Sequence, residues 1–523
     1  MYKILISDPL DPAGLELLRG SGHEVRLLDE SERPQLPEIL AEYDALVVRS
    51  GTQVTAELLA AGKNLKVVGR AGIGVDNIDV TAATEAGILV VNAPTANLIS
   101  ATEHTFALML GLARLLPSAD GSLKGEAWKR KSFVGTELKD KTLGIIGFGR
   151  IGQQVARRAQ AFDMEVIAYD PVIEGEFMRR RQVEPMALND LLSKADIVTL
   201  HVPKTPETQN LLNDERFALM KEGALLVNCA RGGVVDEAAL LKALDSGRLA
   251  GAGVDVFAKE PPEDYALARH PKVVATPHLG ASTREAQLRI STDTAKMVIA
   301  ALDGSLAITA VNLPFRAAGR SGEPYLRLAE KLGLLAGGEL EGAIKAVEVN
   351  LWNVPEEHHV GIGIAALKGA LQRFHGPAVN YVNAEKLARS QGLDVVRAVH
   401  STEEGPQSLS VTLRGERELT MKGTLLHEQD PRVTDFDGYQ LEFRAKGQLL
   451  VVRNRDVPGV VGKLGTTLGL AGVNIAEIHL ARREGNEHAL AVVRVDQDIA
   501  TPTLDELRAM PEIVSARVVD VGP

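Results

Sequence analysis

Residues 142–152 read TLGIIGFGRIG, and this stretch decides the fold. Its opening is the unbroken apolar run of a buried strand. Gly147, Gly149 and Gly152 then supply a G-x-G-x-x-G spacing, with Arg150 and Ile151 between the last two, and QQVARRAQAF continues as a helix. The first glycine permits a tight turn, the second lets backbone approach a pyrophosphate, and the third allows close helix–strand packing. The helix N-terminus presents free N–H groups to phosphate. A second strand, EVIAY, ends in Asp170, 23 residues after Gly147. A carboxylate there can take both ribose hydroxyls and would repel a 2′-phosphate, which favours NAD over NADP.

On either side the pattern is strand–helix alternation. KILIS (3–7), ALVVR (45–49), LKVVG (65–69) and ILVVN (88–92) are continuous Val/Ile/Leu runs with helical segments between them. After residue 100 the pattern restarts with TLGII, EVIAYD, DIVTLHVP, ALLVNCA, GAGVDVF and KVVATPH. Unbroken apolar strands alternating with helices predict parallel sheets covered on both faces, here two in succession. A helix over about 282–302 returns the chain to the first unit. Beyond VNLPF (311–315) lie two helical stretches, the β-like run 408–426, and a terminal strand–helix–strand–strand–helix–strand unit. That last order is the split βαβ pattern of a ferredoxin-like domain.

The 523 residues exceed one hydrophobic core, so two to four domains are expected. A net charge of -11 argues against nucleic-acid binding, which wants a basic stripe. Cys229 is the only cysteine, which excludes an intrachain disulfide and fits a reducing cytoplasm. MYKILISDPLDPAGLELL breaks its apolar run with Asp and Pro, so no export signal is read. FALMLGLARLL (106–116) is too short to span a bilayer and contains Arg114. It predicts a core helix, started by a capping box of Ser100 and Glu103.

Three residues stand at the ends of later strands, where a doubly wound sheet places its ligands: Arg231, Glu260 and His278. Singly, each has a plain reading as a surface pair, a solvated acid or a structural imidazole. Together they supply what hydride transfer at a 2-hydroxy acid needs. A guanidinium grips the substrate carboxylate and polarises the carbonyl, and an imidazole exchanges the hydroxyl proton. A carboxylate beside the imidazole orients it. No metal is needed, and none is assigned.

GFGRIG, LHVP, NCARGGVVDE, GVDVFAKEPP and TPHLGAST, in this order and spacing, resemble the D-isomer-specific 2-hydroxyacid dehydrogenases over roughly residues 1–313. The resemblance implies that Arg231, Glu260 and His278 are the catalytic set and that Asp255 is a partner of the nicotinamide carboxamide. It implies that Val202, Cys229 and Ala230 lie along the cofactor, so Cys229 lines a pocket and is no nucleophile. Gly280 leaves space beside the nicotinamide.

The C-terminal half resembles the long-form members, which carry an intervening domain and an ACT regulatory domain. The resemblance then implies 3-phosphoglycerate as substrate, oxidised to 3-phosphohydroxypyruvate in the first step of serine synthesis. A phosphate needs further cations, for which Arg49, Arg70 and Arg130 are candidates, Arg130 acting across a dimer interface. Gly51 stands where some members carry a second arginine. In the ACT unit, Asp456 and Asn474 are implied to hold an amino acid effector, L-serine, across a subunit interface.

The expected architecture is α/β: two doubly wound parallel-sheet domains, an α+β intervening domain and a ferredoxin-like ACT domain. The substrate-binding domain is placed at 1–98, completed by 284–313, and the NAD-binding Rossmann domain at 99–283. The intervening domain is placed at 314–447 and the ACT domain at 448–523. The expected assembly is a homodimer or homotetramer in the cytoplasm. Two alternatives stand beside this one: a dehydrogenase for another D-2-hydroxy acid such as glycerate, and a nicotinamide-sensing corepressor-like scaffold.

Overall fold

The computed structural model describes the chain except for residues 305–309, 316–318, 402–404, 428, 484–486 and 523. The first sheet holds β1 (Lys3–Ile6), β2 (Glu24–Leu27), β3 (Ala45–Val48), β4 (Val67–Arg70) and β5 (Leu89–Asn92). Its order is β2-β1-β3-β4-β5 and all neighbours are parallel. Four of these strands coincide with the Val/Ile/Leu runs. The fifth, β2, escapes the pattern because it is an edge strand of only partly buried residues, EVRL.

The second sheet holds β6 (Thr142–Ile146), β7 (Glu165–Tyr169), β8 (Glu184–Pro185), β9 (Ile197–Leu200), β10 (Ala224–Asn228), β11 (Leu249–Val254) and β12 (Val273–Ala275). Its order, β12-β11-β10-β9-β6-β7-β8, is parallel throughout and reverses between β6 and β9. That reversal opens a crevice at the carboxyl ends of the strands, directly beyond Ile146. The helix Arg284–Leu302 returns to the first unit, where Ser291 Oγ donates to the Asp11 carbonyl at 3.1 Å and Thr294 Oγ1 to the Arg70 carbonyl at 3.4 Å. Of the returning segment 284–313, residues 305–309 lie outside the described residues.

The core helix between the two units runs over Leu98–Ala113. The capping box expected of Ser100 and Glu103 does not form. The helix starts at Leu98, as soon as the turn at 93–97 ends, so Ser100 falls inside its first turn with a buried, unpartnered Oγ. Among the described residues no helix is long and apolar enough to cross a membrane.

The third sheet contains β13 (Ala346–Trp352), β14 (Asp394–His400), β15 (Ser408–Arg414), β16 (Glu418–Leu426), β17 (Asp430–Phe436) and β18 (Tyr439–Phe443), ordered β14-β13-β15-β16-β17-β18. Only β13 and β14 are parallel. Helices Gly319–Glu339 and His359–His375 cover one face. They approach closely at Gly333 and Gly369, where any side chain would collide with backbone of the facing helix.

The fourth sheet, β19 (Gln448–Arg455), β20 (Ile475–Arg482), β21 (His488–Val495) and β22 (Ile513–Asp520), has the ferredoxin-like order β20-β21-β19-β22. One face carries the helices Val460–Leu470 and Thr501–Ala509. The other contributes Leu449, Val451, Val492 and Val519 to the core of the third unit, so the two sheets share one hydrophobic interior. Arg453 joins them further, reaching Asp437 at 3.0 Å and the buried Glu339 at 3.6 Å.

Gly369→Ala is expected to force the two covering helices apart and to cost about 1–3 kcal/mol. A lower urea midpoint with an unchanged m-value would register it.

Candidate active site

The turn after β12 carries His278 in the left-handed region, at φ 54°. Asp255, just beyond β11, holds that turn by taking three successive amides. Its carbonyl accepts from His278 N at 2.8 Å, its Oδ1 from Leu279 N at 2.7 Å and its Oδ2 from Gly280 N at 2.9 Å. His278 Nδ1 then lies 2.6 Å from Glu260 Oε2, and the other Glu260 oxygen accepts from the Phe257 amide at 3.0 Å. Burial pushes the Glu260 carboxyl up, but His278 and the Phe257 amide outweigh it and hold it below its ordinary range. Glu260 is therefore an ionised, oriented acceptor for Nδ1–H. Nε2 has no hydrogen-bond partner among the described residues, and the ring is half exposed. A cavity of about 390 Å³ lies behind the pair, walled by Phe257, Pro261, Pro277 and Tyr265.

Arg231 follows β10 and faces the first sheet. Its Nε donates to Asp76 Oδ2 at 3.0 Å, across the cleft between the two parallel sheets, and Nη1 donates to the Ala230 carbonyl at 2.7 Å. This leaves the Nη2 edge for a carboxylate. Two further arginines stand close enough to matter electrostatically. Burial, then the like charges of Arg231 and Arg49, bring the Arg70 guanidinium down to about 10, so it stays cationic at neutral pH. Arg70 Nη1 is bound to the Ala71 carbonyl at 2.8 Å, and Arg49 Nη2 reaches Gln287 Oε1 at 2.5 Å. Arg49 and Arg284 both line a cavity of about 700 Å³ with Ser282 and Thr283. Arg130 is exposed in the short turn Arg130–Ser132, just after an 81% exposed Trp128.

At the crevice, Gly147 adopts φ 96° and a side chain there would press against the His201 carbonyl at 2.6 Å and Val202 at 2.8 Å. A side chain at Gly152 would collide with the Gly147 carbonyl, whereas Gly149 faces open space. Arg150 Nη1 contacts the Pro94 carbonyl at 3.4 Å, and Ile151 is half-buried against the sheet. Asp170 is locked beside this loop: Oδ2 accepts from Phe148 N at 2.8 Å, and Oδ1 from Val172 N and Ile173 N. A larger cavity, of about 970 Å³, opens between Thr142, Glu165, Glu184 and Lys221. It lies at the amino ends of the strands, opposite the glycine loop, and belongs to none of this.

Residues 106–280 match the family described as D-isomer specific 2-hydroxyacid dehydrogenase, NAD binding domain. Residues 322–437 match the D-3-phosphoglycerate dehydrogenase intervening domain, and residues 448–512 the ACT domain. The D-3-phosphoglycerate dehydrogenase of Methanocaldococcus jannaschii is 40% identical over 526 residues, covering all of both chains. That of Mycobacterium tuberculosis is 42% identical over 99% of each. The chain belongs to the D-3-phosphoglycerate dehydrogenase family. Among solved structures, the D-lactate dehydrogenase of Aquifex aeolicus, complexed with NAD and lactic acid, matches 58% of this chain and 96% of its own at 33% identity and a TM-score of 0.53.

NAD is the cofactor of this dehydrogenase family, and the crevice fits it. Gly147 and Gly152 are closed to any side chain, Gly149 leaves room for a phosphate, and the helix Arg150–Ala161 begins without a side-chain cap. Val202 is half-buried, and Cys229 and Ala230 are buried. Burial, then Asp255, push the Cys229 thiol far up, so it remains a thiol at neutral pH. Two residues sit differently from expectation. Asp255 is 1% exposed and its oxygens are already engaged, so a carboxamide would have to share Oδ2 with Gly280 N. A side chain at Gly280 would point at Cys229 Sγ and Asp255 Oδ2, each 3.2 Å away, so its smallness serves the packing of the turn.

In the ACT domain of this dehydrogenase, Asp456 Oδ2 pairs with Arg482 at 2.9 Å, and Asn474 Nδ2 donates to Asp496 Oδ2 at 2.7 Å. They stand at opposite ends of β21, since Arg455 pairs with His488 and Ile475 with Val495. Asp76 and His104 are site residues that sequence reasoning passed over. Asp76 lies in GRAGIGVDN, close to Arg70, and His104 directly follows Glu103; neither belongs to a motif of its own.

Asp76 is half exposed, so its pair with Arg231 is worth at most about 1 kcal/mol. Asp76→Asn is expected to raise the KM for the hydroxy acid up to about fivefold with kcat nearly unchanged, read from initial-rate kinetics. The Glu260 carboxyl is lowered on folding. Its contribution to stability is complete above the ordinary carboxylate value of about 4.3 and is lost as pH falls through the lower folded value. The stability advantage of wild type over Glu260→Gln should therefore be present just above that pH and shrink as pH falls below it.

Proposed function

We propose that the chain oxidises 3-phospho-D-glycerate to 3-phosphohydroxypyruvate with NAD, the first step of serine synthesis, in the cytoplasm. The observation that carries this reading is Glu260 Oε2 2.6 Å from His278 Nδ1, beyond strands β11 and β12, with Arg231 following the neighbouring strand β10. Arg231 Nη2 takes the substrate carboxylate and draws electron density from the developing C2 carbonyl. His278 Nε2 accepts the C2 hydroxyl proton, and Glu260 steadies the charge that the ring acquires. The glycine loop Gly147–Gly152 and Asp170 would hold NAD, which would supply the hydride acceptor for the C2 hydrogen. In the reverse direction, His278 returns the proton to the carbonyl oxygen.

The phosphate is assigned to Arg49, with Arg70 adding positive potential behind it. Arg130, exposed in its short turn, is assigned to the site of a second copy. The exposed Leu116, Trp128 and Val134 around it support this, because 62–81% exposure of such side chains suits an interface. A dimer is the minimum assembly and a tetramer agrees with the extra domains. L-serine is the proposed effector, held by Asp456 of one copy and Asn474 of another. Within one chain these residues are separated by the length of β21, roughly 23 Å. Antiparallel pairing of β20 with a second copy brings the two ends together, and the exposed Ile478 and Leu480 lie on that edge strand.

NADH fluorescence tests the substrate: 3-phosphohydroxypyruvate should oxidise NADH far faster than hydroxypyruvate or glyoxylate. Equal rates would point to another hydroxy acid, and binding without turnover to a nicotinamide sensor. His278→Ala is expected to lower kcat by about 10²–10⁴-fold while leaving NADH affinity nearly unchanged. Retained turnover would remove His278 from the mechanism.

A further inference from the structure

We infer that His104 is a positioning residue for the proton-transferring His278, acting through Asp255. This rests on the role given to His278 above. His104 lies on the helix Leu98–Ala113, 174 residues before His278 in sequence, and does not touch it. Its Nε2 stands 3.1 Å from Asp255 Oδ1 and 3.0 Å from Thr276 Oγ1. Thr276 Oγ1 is itself 2.6 Å from the same Asp255 oxygen. An ionised carboxylate can only accept, so the threonine hydroxyl and the imidazole N–H must both be donors to it. The tautomer of His104 is thereby set, with its proton on Nε2.

Asp255 thus sits at the centre of five donors. Oδ1 receives Thr276, His104 and the Leu279 amide; Oδ2 receives the Gly280 amide and, at 3.6 Å, the Cys229 thiol. Burial pushes this carboxyl up, but His104, Thr276 and the Leu279 amide hold it below its ordinary range. The titratable groups facing it are His104 from the helix, Cys229 from beyond β10, and Glu260, whose own carboxyl the Asp255 charge pushes up.

The same aspartate fixes residues 278–280. His278 occupies φ 54°, a region that a β-carbon disfavours, so its backbone stays there only while its neighbours hold it. Two of the amides that hold it end on the carboxylate His104 supports. Removing His104 takes one donor from Oδ1, loosens the Leu279 end of the turn and makes Asp255 easier to protonate. His278 then samples orientations in which Nε2 misses the substrate hydroxyl, while the glycine loop that binds nucleotide is untouched.

The test compares wild type, His104→Ala, His104→Gln and His278→Ala as full-length proteins, by kcat, KM and NADH affinity. Gln places an amide nitrogen where the imidazole Nε2 was. His104→Ala should lower kcat about tenfold, the worth of one hydrogen bond to a charged group, with NADH affinity within about threefold of wild type. His104→Gln should restore the rate, again with NADH affinity close to wild type. If His104→Ala fails to fold by thermal melting, His104→Leu, which fills more space and offers no donor, replaces it. Wild-type kcat in the donorless variant would overturn the inference, as would a Gln variant as slow as Ala. An active His278→Ala would instead overturn the role of His278 itself, so the two failures are told apart.

Discussion

Asp255 accepts from three consecutive amides, and the chemistry of the cleft depends on that grip. A histidine at φ 54° is held against its own backbone preference at a cost on the order of 1–3 kcal/mol. The aspartate carbonyl and both carboxylate oxygens provide the hold, drawing on a strand end, a helix and a threonine hydroxyl at once. Because the carboxylate is buried, its donors are not in competition with water and the turn is set before any ligand arrives. Glu260 then needs to control only the rotation of the ring.

The second constraint is the cleft itself. Two parallel sheets present the carboxyl ends of their strands to each other, and Arg231 with Asp76 ties one sheet to the other. The helix Arg284–Leu302 closes the loop by returning to the first unit, so the chain after His278 is anchored on both domains. The third and fourth sheets stand outside this cleft but are coupled to each other through one core. The third unit also reaches the first, where Asn380 Nδ2 donates to the Gly87 carbonyl at 2.5 Å. The ACT sheet is thus packed into the third unit, which in turn meets the first unit at Asn380 and Gly87.

Much of this was legible in the sequence, for physical reasons. Strands buried on both faces must be unbroken runs of Val, Ile and Leu, so β1, β3 to β7 and β9 to β12 stand out. β2 and β8 do not: EVRL carries charged residues with Glu24 and Leu27 exposed, and β8 is only the two residues Glu184–Pro185. The glycine loop was legible because backbone geometry admits nothing else at Gly147 and Gly152. Local capping was not: Ser100 and Glu103 have the right spacing, but the helix starts three residues earlier, with Asn97 at its N-cap. Asp76 and His104 were invisible for a different reason. Their partners are 155 and 151 residues away, and only the assembled sheets bring a GVDN aspartate to Arg231 or a helix histidine to Asp255. Asp255 was seen as a residue of the site, but its spacing says nothing about how thoroughly it is enclosed.

The proposed roles place the carboxylate of a 2-hydroxy acid on Arg231 and its hydroxyl on His278. A crystal structure of the chain with NAD and 3-phosphoglycerate measures that directly. The account predicts the C2 hydroxyl within about 3 Å of His278 Nε2 and the carboxylate against Arg231 Nη2. A hydroxyl turned away from His278, or a carboxylate seated elsewhere with Arg231 still bound only to Asp76 and Ala230, would contradict it.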